Sequence, residues 1–217
     1  MLRGYYASIY EVNKPSWKFT VDITLEESPV PVTRRVIVPS NIRLSHLSEL
    51  LIRAIGWEGY HLCEFLKGDD CYTDSESCAE ARSWENRMHK YHDYSRYTLG
   101  QVLRQDGDEA EFIYDFGDDW KHKIVLAKKE KYPKSGYYEA DLFVVSGQNA
   151  CPPENVGGVW GYKEALETLA NPGLDTDEYN QLMEWLPEGF NPEVFDIRAS
   201  RLRVNDYLRL IRTLFRY

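Results

Sequence analysis

No stretch of the sequence approaches the roughly 18 apolar residues that a membrane helix needs. Its start, "MLRGYYASIYEVNKPSWKF", has no apolar run of signal-peptide length, so a cytoplasmic protein without a membrane partner is expected. Cysteine is scarce: Cys63, Cys71, Cys78 and Cys151 are the four. With no secretion signal beside them, they read as thiols rather than as a disulfide framework. Positive charge is in deficit, with 26 lysines and arginines against 35 aspartates and glutamates, a net charge of −9. That field repels nucleic acid and anionic membranes on average, and leaves only a local basic patch to bind either. Internal repeats and low-complexity linkers are missing too.

What remains is enough for one core. The chain has 217 residues, 43% of them hydrophobic. In "WKFTVDITLEE", Trp17, Phe19, Val21, Ile23 and Leu25 alternate without a miss, which predicts a strand with one buried face. Pro29 and Pro31 interrupt before a second strand, "VTRRVIV". Leu44, Leu47, Leu51, Ala54 and Ile55 share a helical face, and Gly56 sits where a left-handed cap belongs. A third strand is expected in "YHLCEFL". Residues 68–97 are polar and aperiodic, and read as a surface excursion holding at most one helix. "TLGQVLRQ" predicts a short helix, "QDGDE" a turn and "YYEADLFVVSG" a strand. Tyr162, Ala165, Leu166 and Leu169 mark a helix ending at "NPG". Asp175 and Glu178 resemble a capping box opening the next one. Periods of 2 and 3.6 are interleaved irregularly, so the expected class is α+β: a single domain, largely an antiparallel twisted sheet packed with several helices.

The stretch "FIYDFGDDWKH" (112–122) predicts a hairpin turning at Gly117-Asp118. A two-residue loop there pairs Ile113 with His122 and Asp115 with Trp120. Asp115 and His122 then become diagonal neighbours, roughly 7–8 Å apart at the backbone. Such a pair suits a general base or a metal ligand; the preferred reading is a polar pair that pins the hairpin register. In "ACPPENVGG" (150–158), Gly157 and Gly158 allow close backbone approach before a helix, whose first amides could hold an anion. Cys151 could serve as a nucleophile beside His61 or His122; the preferred reading makes it a small buried hydrophobe, with Trp160 packed in the core.

Taken together, "GWEGYHLCEF" (56–65), "YDFGDDWKHKIVL" (114–126), "YP" (132–133), "ACPPENVGGVWGYKEAL" (150–166) and "FNPEVFD" (190–196) resemble the plasmid pRiA4b ORF-3-like family. The resemblance runs in order from about Trp17 to Asp206. It implies one α+β domain of plasmids and mobile elements across the prokaryotes, and no particular activity. Some members carry a transposon-passenger or resolvase-like label, but this chain shows no recombinase-type arrangement. Two features depart from the pattern: "PVTRR" has Thr33 where an aromatic usually precedes the paired arginines, and the 68–97 excursion is long.

Candidate sites follow from residue chemistry. His61, Asp115, His122 and Glu154 have the identities that bind zinc or manganese, but no local ligand spacing supports them, so no cofactor is expected and a divalent metal is the alternative. Cys71, Cys78, His89 and His92 also have zinc-type identities, though their spacing misses the short C-x2–4-C knuckle. Asp118, Trp120, Glu154, Gly157 and Gly158 are candidate ligand contacts between the hairpin tip and the 150–158 loop. At the C-terminus, Arg198, Arg201, Arg209, Arg212 and Arg216 fall within an arc of about 80° of a helix. Val204, Tyr207, Leu208, Leu210, Ile211, Leu214 and Phe215 lie opposite. The preferred reading is an amphipathic helix docked on the core, the alternative a nucleic-acid or acidic-protein contact. Two functions of different class follow. The preferred one is a non-enzymatic binding or adaptor module with a protein partner. The alternative is a small metal-dependent or Cys/His hydrolase using Asp115, His122, His61 and Cys151 or Glu154.

Overall fold

The alternating strand runs from Trp17 to Leu25 (β1), with Phe19, Val21, Ile23 and Leu25 each at most 4% exposed. Burying four such side chains contributes on the order of 1.5–3 kcal/mol apiece, which fixes which face of the sheet is covered. The computed structural model describes residues 17–83, 88–131, 143–173 and 175–214. Tyr132, Pro133 and the first part of the "YYEADLFVVSG" strand lie outside them, as does residue Arg216.

Strand β2 (Thr33–Pro39) pairs antiparallel with β1 and leads to helix α1 (Leu44–Ile55). Gly56 ends α1 at φ 139°, a conformation a side chain would resist, as its cap position predicted. Arg34 on β2 is 2% exposed and closes that helix end. Its guanidinium donates to the carbonyls of Ala54 (3.0 Å), Ile55 (2.6 Å), Thr33 (2.6 Å) and Gln148 (2.9 Å). Phe195 lies 3.8 Å from the guanidinium carbon, and burial lowers the arginine pKa to about 10.

After β3 (Cys63–Lys67) the structure departs from expectation. The 68–97 segment is not a surface excursion: it contributes β4 (Asp70–Thr73), helix α2 (Ser75–Arg82) and β5 (Lys90–Asp93). β5 pairs parallel with β4 at one edge of the sheet, α2 making the crossover. Cys71, Tyr72, Thr73 and Cys78 are all buried there. Helix α3 (Leu99–Val102) opens with a Thr98–Gln101 capping box and precedes the hairpin β6 (Glu109–Tyr114) and β7 (Trp120–Lys131). Among the described residues the sheet has eight strands in the order β5-β4-β3-β6-β7-β1-β2-β8, β8 being Phe143–Gln148. Every pairing except β4–β5 is antiparallel. Helices α4 (Gly158–Ala170), α5 (Thr176–Trp185) and α6 (Ile197–Leu214) complete an α+β fold. Asp175 caps α5 by accepting from the amides of Asp177 and Glu178. Glu178, however, accepts from Thr168 Oγ1 instead of closing the box.

The C-terminal helix docks as its amphipathic pattern predicted. Val204, Leu208 and Ile211 are buried, and the Tyr207 hydroxyl lies 2.9 Å from His46 Nδ1 on α1. Leu210, placed on the same face by the pattern, is 56% exposed. Among the described residues no helix is long and apolar enough to cross a membrane.

Candidate functional site

Tyr114 pairs directly with Trp120, and Phe112 with His122, so residues 115–119 form a five-residue turn rather than the two-residue one expected. Aspartate chemistry explains the difference. Asp115 takes φ 59° and Asp119 φ 55°, the left-handed region that a short polar side chain tolerates. Asp115 Oδ1 accepts from the amides of Gly117 (2.9 Å) and Asp118 (3.3 Å), and the Asp119 amide donates to the Asp115 carbonyl at 2.6 Å. A left-handed non-glycine residue costs roughly 1–3 kcal/mol and persists only where its surroundings hold it. The Asp115 amide, donating to Leu62 O at 3.0 Å, supplies part of that hold.

The register shift turns His122 away from Asp115. His122 packs in the core with its ring 5.1 Å from Trp57 and 5.6 Å from Phe112, and Nδ1 donates to Phe112 O at 3.0 Å. It is 1% exposed, and burial pushes its pKa down to about 4. A neutral imidazole sealed in aromatic packing is neither ligand nor base here. The expected Asp115–His122 pair is therefore replaced by another.

That other imidazole is His61, in the segment between Gly56 and β3. Its Nε2 lies 3.3 Å from Asp115 Oδ2 and 3.8 Å from Glu154 Oε2. Glu154 arrives on the 150–157 loop, which Trp57 anchors by donating from Nε1 to Pro152 O at 3.0 Å. Its Oε1 accepts from the Glu58 amide (3.0 Å) and the Tyr114 hydroxyl (2.9 Å). Burial, and then the Glu154 carboxylate, raise the Tyr114 pKa, so the phenol stays a donor. Each carboxylate thus spends one oxygen on the protein and turns the other toward His61. Among the described residues, His61 Nε2 and Glu154 Oε2 are buried without a hydrogen-bond partner.

The three atoms lie within 4.8 Å of one another. Ligands bonded at about 2.0–2.2 Å around a tetrahedral cation sit roughly 3.3–3.6 Å apart, close to the spacing found here. Asp115 and Glu154 carboxylates within 4.8 Å repel by at least about 3.5 kcal/mol at an effective dielectric of about 20, a cost that a dication removes. Among the described residues this is the group of histidine, cysteine and carboxylate side chains that converges so. Cys71, Cys78 and His92 do not assemble a second one. Cys71 bonds Glu64, Cys78 bonds the Thr73 carbonyl, and His92 lies between Asp70 (2.7 Å) and Tyr97 (3.1 Å). His89 stands edge-on to Tyr91.

The remaining candidates have structural partners. Trp120 is fully buried beside Trp57. Gly158 at φ 67° lets the Asp118 carbonyl approach so closely that a Cβ would stand 2.5 Å from its oxygen. The Gly157 amide lies 3.3 Å from Asp118 Oδ2. The group that the start of α4 holds is thus the carboxylate of the chain's own hairpin tip. Cys151 packs against Gly56, and burial pushes its thiol well above the ordinary range, with Glu154 adding to the rise and Arg34 and Arg203 opposing it. Such a thiol is a poor nucleophile. Trp160, expected in the core, is 77% exposed. On α6, Arg201 donates to Val144 O at 2.9 Å, Arg209 lies 3.4 Å from Asp206, and Arg198 is exposed. The Arg212 side chain and Arg216 fall outside the described residues.

A cleft of about 850 Å³ has Glu154, Tyr60, Pro152, Trp185 and Phe190 in its lining. It was not legible in the sequence, because its walls come from the segment after α1, the 150–154 loop, the segment after α5 and the first turns of α6.

A family model described as "Plasmid pRiA4b ORF-3-like protein" matches residues 18–199. The chain is 36% identical over 166 residues to "Uncharacterized protein y4hQ" of Sinorhizobium fredii (strain NBRC 101917 / NGR234), covering 75% of this chain and 77% of that one. It also resembles the crystal structure of the protein of unknown function MM3350 from Methanosarcina mazei Go1, with a TM-score of 0.69 and 26% identity. That likeness covers 85% of this chain and 98% of the other.

Proposed function

The chain belongs to the plasmid pRiA4b ORF-3-like family, and for this member we propose metal-centred ligand binding: His61, Asp115 and Glu154 hold one divalent cation of zinc or manganese type. One observation carries the reading. Two buried atoms without a hydrogen bond, His61 Nε2 and Glu154 Oε2, converge with an Asp115 oxygen within 4.8 Å. Three protein ligands leave coordination positions for water or for a ligand's oxygen. Tyr114 and the Glu58 amide orient Glu154, and the turn amides orient Asp115, as outer-shell partners of a metal site do. A binding role is favoured over hydrolysis because the neighbouring groups are committed elsewhere: His122 is sealed in the core and the Cys151 thiol is held protonated.

Calorimetric titration of metal-stripped protein with Zn²⁺ and Mn²⁺ tests this. One equivalent is expected to bind, with affinity falling at least 100-fold in Asp115→Asn and Glu154→Gln. Wild-type protein that takes up no stoichiometric ion, or variants that bind as well as the wild type, would overturn it.

A further inference from the structure

We infer that the ligand of this centre is an amphipathic small molecule, an oxygen-chelating head on a neutral apolar body, with its head at the cation and its body in the cleft. The inference rests on the metal reading above. Glu154 is the link, since it belongs to the convergent triad and also lines the cleft. Glu154 therefore stands both beside the cation position and in the wall of a cavity within the range that holds small ligands, roughly 300–1,000 Å³.

The lining selects the body. Tyr60 is 76% exposed and Trp185 48%, and both large side chains line the cleft. Covering apolar area contributes about 25 cal/mol per Å², so a ligand that spans these rings gains affinity that a bare head group lacks. Charge points the same way. Arg34 lines the cleft, yet its Nε and both terminal nitrogens donate to four main-chain carbonyls. Arg203, also in the lining, donates from Nε to the Arg53 carbonyl. The positive charges of Arg34 and Arg203 balance those of Glu58 and Asp196 at the walls, so a neutral body fits better than a charged one.

Two hydroxamates separate head from body: acetohydroxamate, which is little more than the chelating head, and 3-phenylpropionohydroxamate, which adds an aryl chain. With the full-length protein carrying one equivalent of Zn²⁺, the aryl probe is expected to bind at least 10-fold more tightly. In Trp185→Ala that preference should shrink to less than 3-fold, with Zn²⁺ and acetohydroxamate affinities retained, while Trp185→Phe keeps most of it. Equal affinities in the wild type, or a preference untouched in Trp185→Ala, would overturn the inference while leaving the metal site standing. Failure of Zn²⁺ itself to bind would remove both, and is read separately in the probe-free titration.

Discussion

Replacing His122 by phenylalanine should change how stability depends on pH. In the folded chain burial holds the His122 pKa at about 4, against 6.5 unperturbed. A depressed folded value means that the unfolded chain takes up the proton first. The stability tied to the neutral ring is therefore fully present above pH 6.5 and is lost as pH falls toward 4. Two and a half pH units correspond to about 3 kcal/mol in all, of which about 2 kcal/mol is gone by pH 5. His46 moves in the same direction, lowered to about 4 by burial and then by Arg43, so the wild type should lose up to twice that amount. Phenylalanine also removes the donor to Phe112 O, which lowers stability at every pH by roughly 1–3 kcal/mol. Urea unfolding at pH 7.5 and pH 5.0 separates these effects, because only the difference between the two pH values reports the proton. His122→Phe is expected to show about half the wild-type decline. An unchanged decline would mean that His122 is protonated without unfolding, and the burial argument that removes it from the metal site would fail with it.

Three further outcomes follow from single contacts. Trp57→Phe deletes the bond to Pro152 O and should cost about 1–3 kcal/mol in denaturant unfolding, with weakened metal affinity because the loop carrying Glu154 loses its anchor. Gly158→Ala forces a Cβ against the Asp118 carbonyl at a positive φ, and should destabilise by more than about 1 kcal/mol; thermal melting reads it. Arg34→Met leaves four carbonyls, two of them fully buried, without their donor and should cost at least about 3 kcal/mol, since charged hydrogen bonds to buried groups are expensive to break.

Much of this fold was legible because long elements repeat their signal. Trp17–Leu25 alternates over nine residues and Leu44–Ile55 keeps one apolar face over three turns, and both elements form with the predicted bounds or nearly so. Strands β4 and β5 have four residues each, too few for any period to register, and so a segment that adds two strands to the sheet read as surface. At the hairpin the glycine rule misled. Gly117 does not take positive φ, whereas Asp115 and Asp119 do, and the longer turn slips the register by one residue, so that His122 faces Phe112 instead of Ile113 and shares no face with Asp115. Of the four residues with metal-binding identities considered together, His61, Asp115 and Glu154 converge. Only their chemistry, not their spacing in the chain, could have suggested it.

The direct measurement is anomalous diffraction at the zinc edge from crystals of the protein grown with Zn²⁺. One strong peak is expected about 2.0–2.2 Å from His61 Nε2, Asp115 Oδ2 and Glu154 Oε2. A map empty at that point, with the histidine simply bridging the two carboxylates, would contradict it.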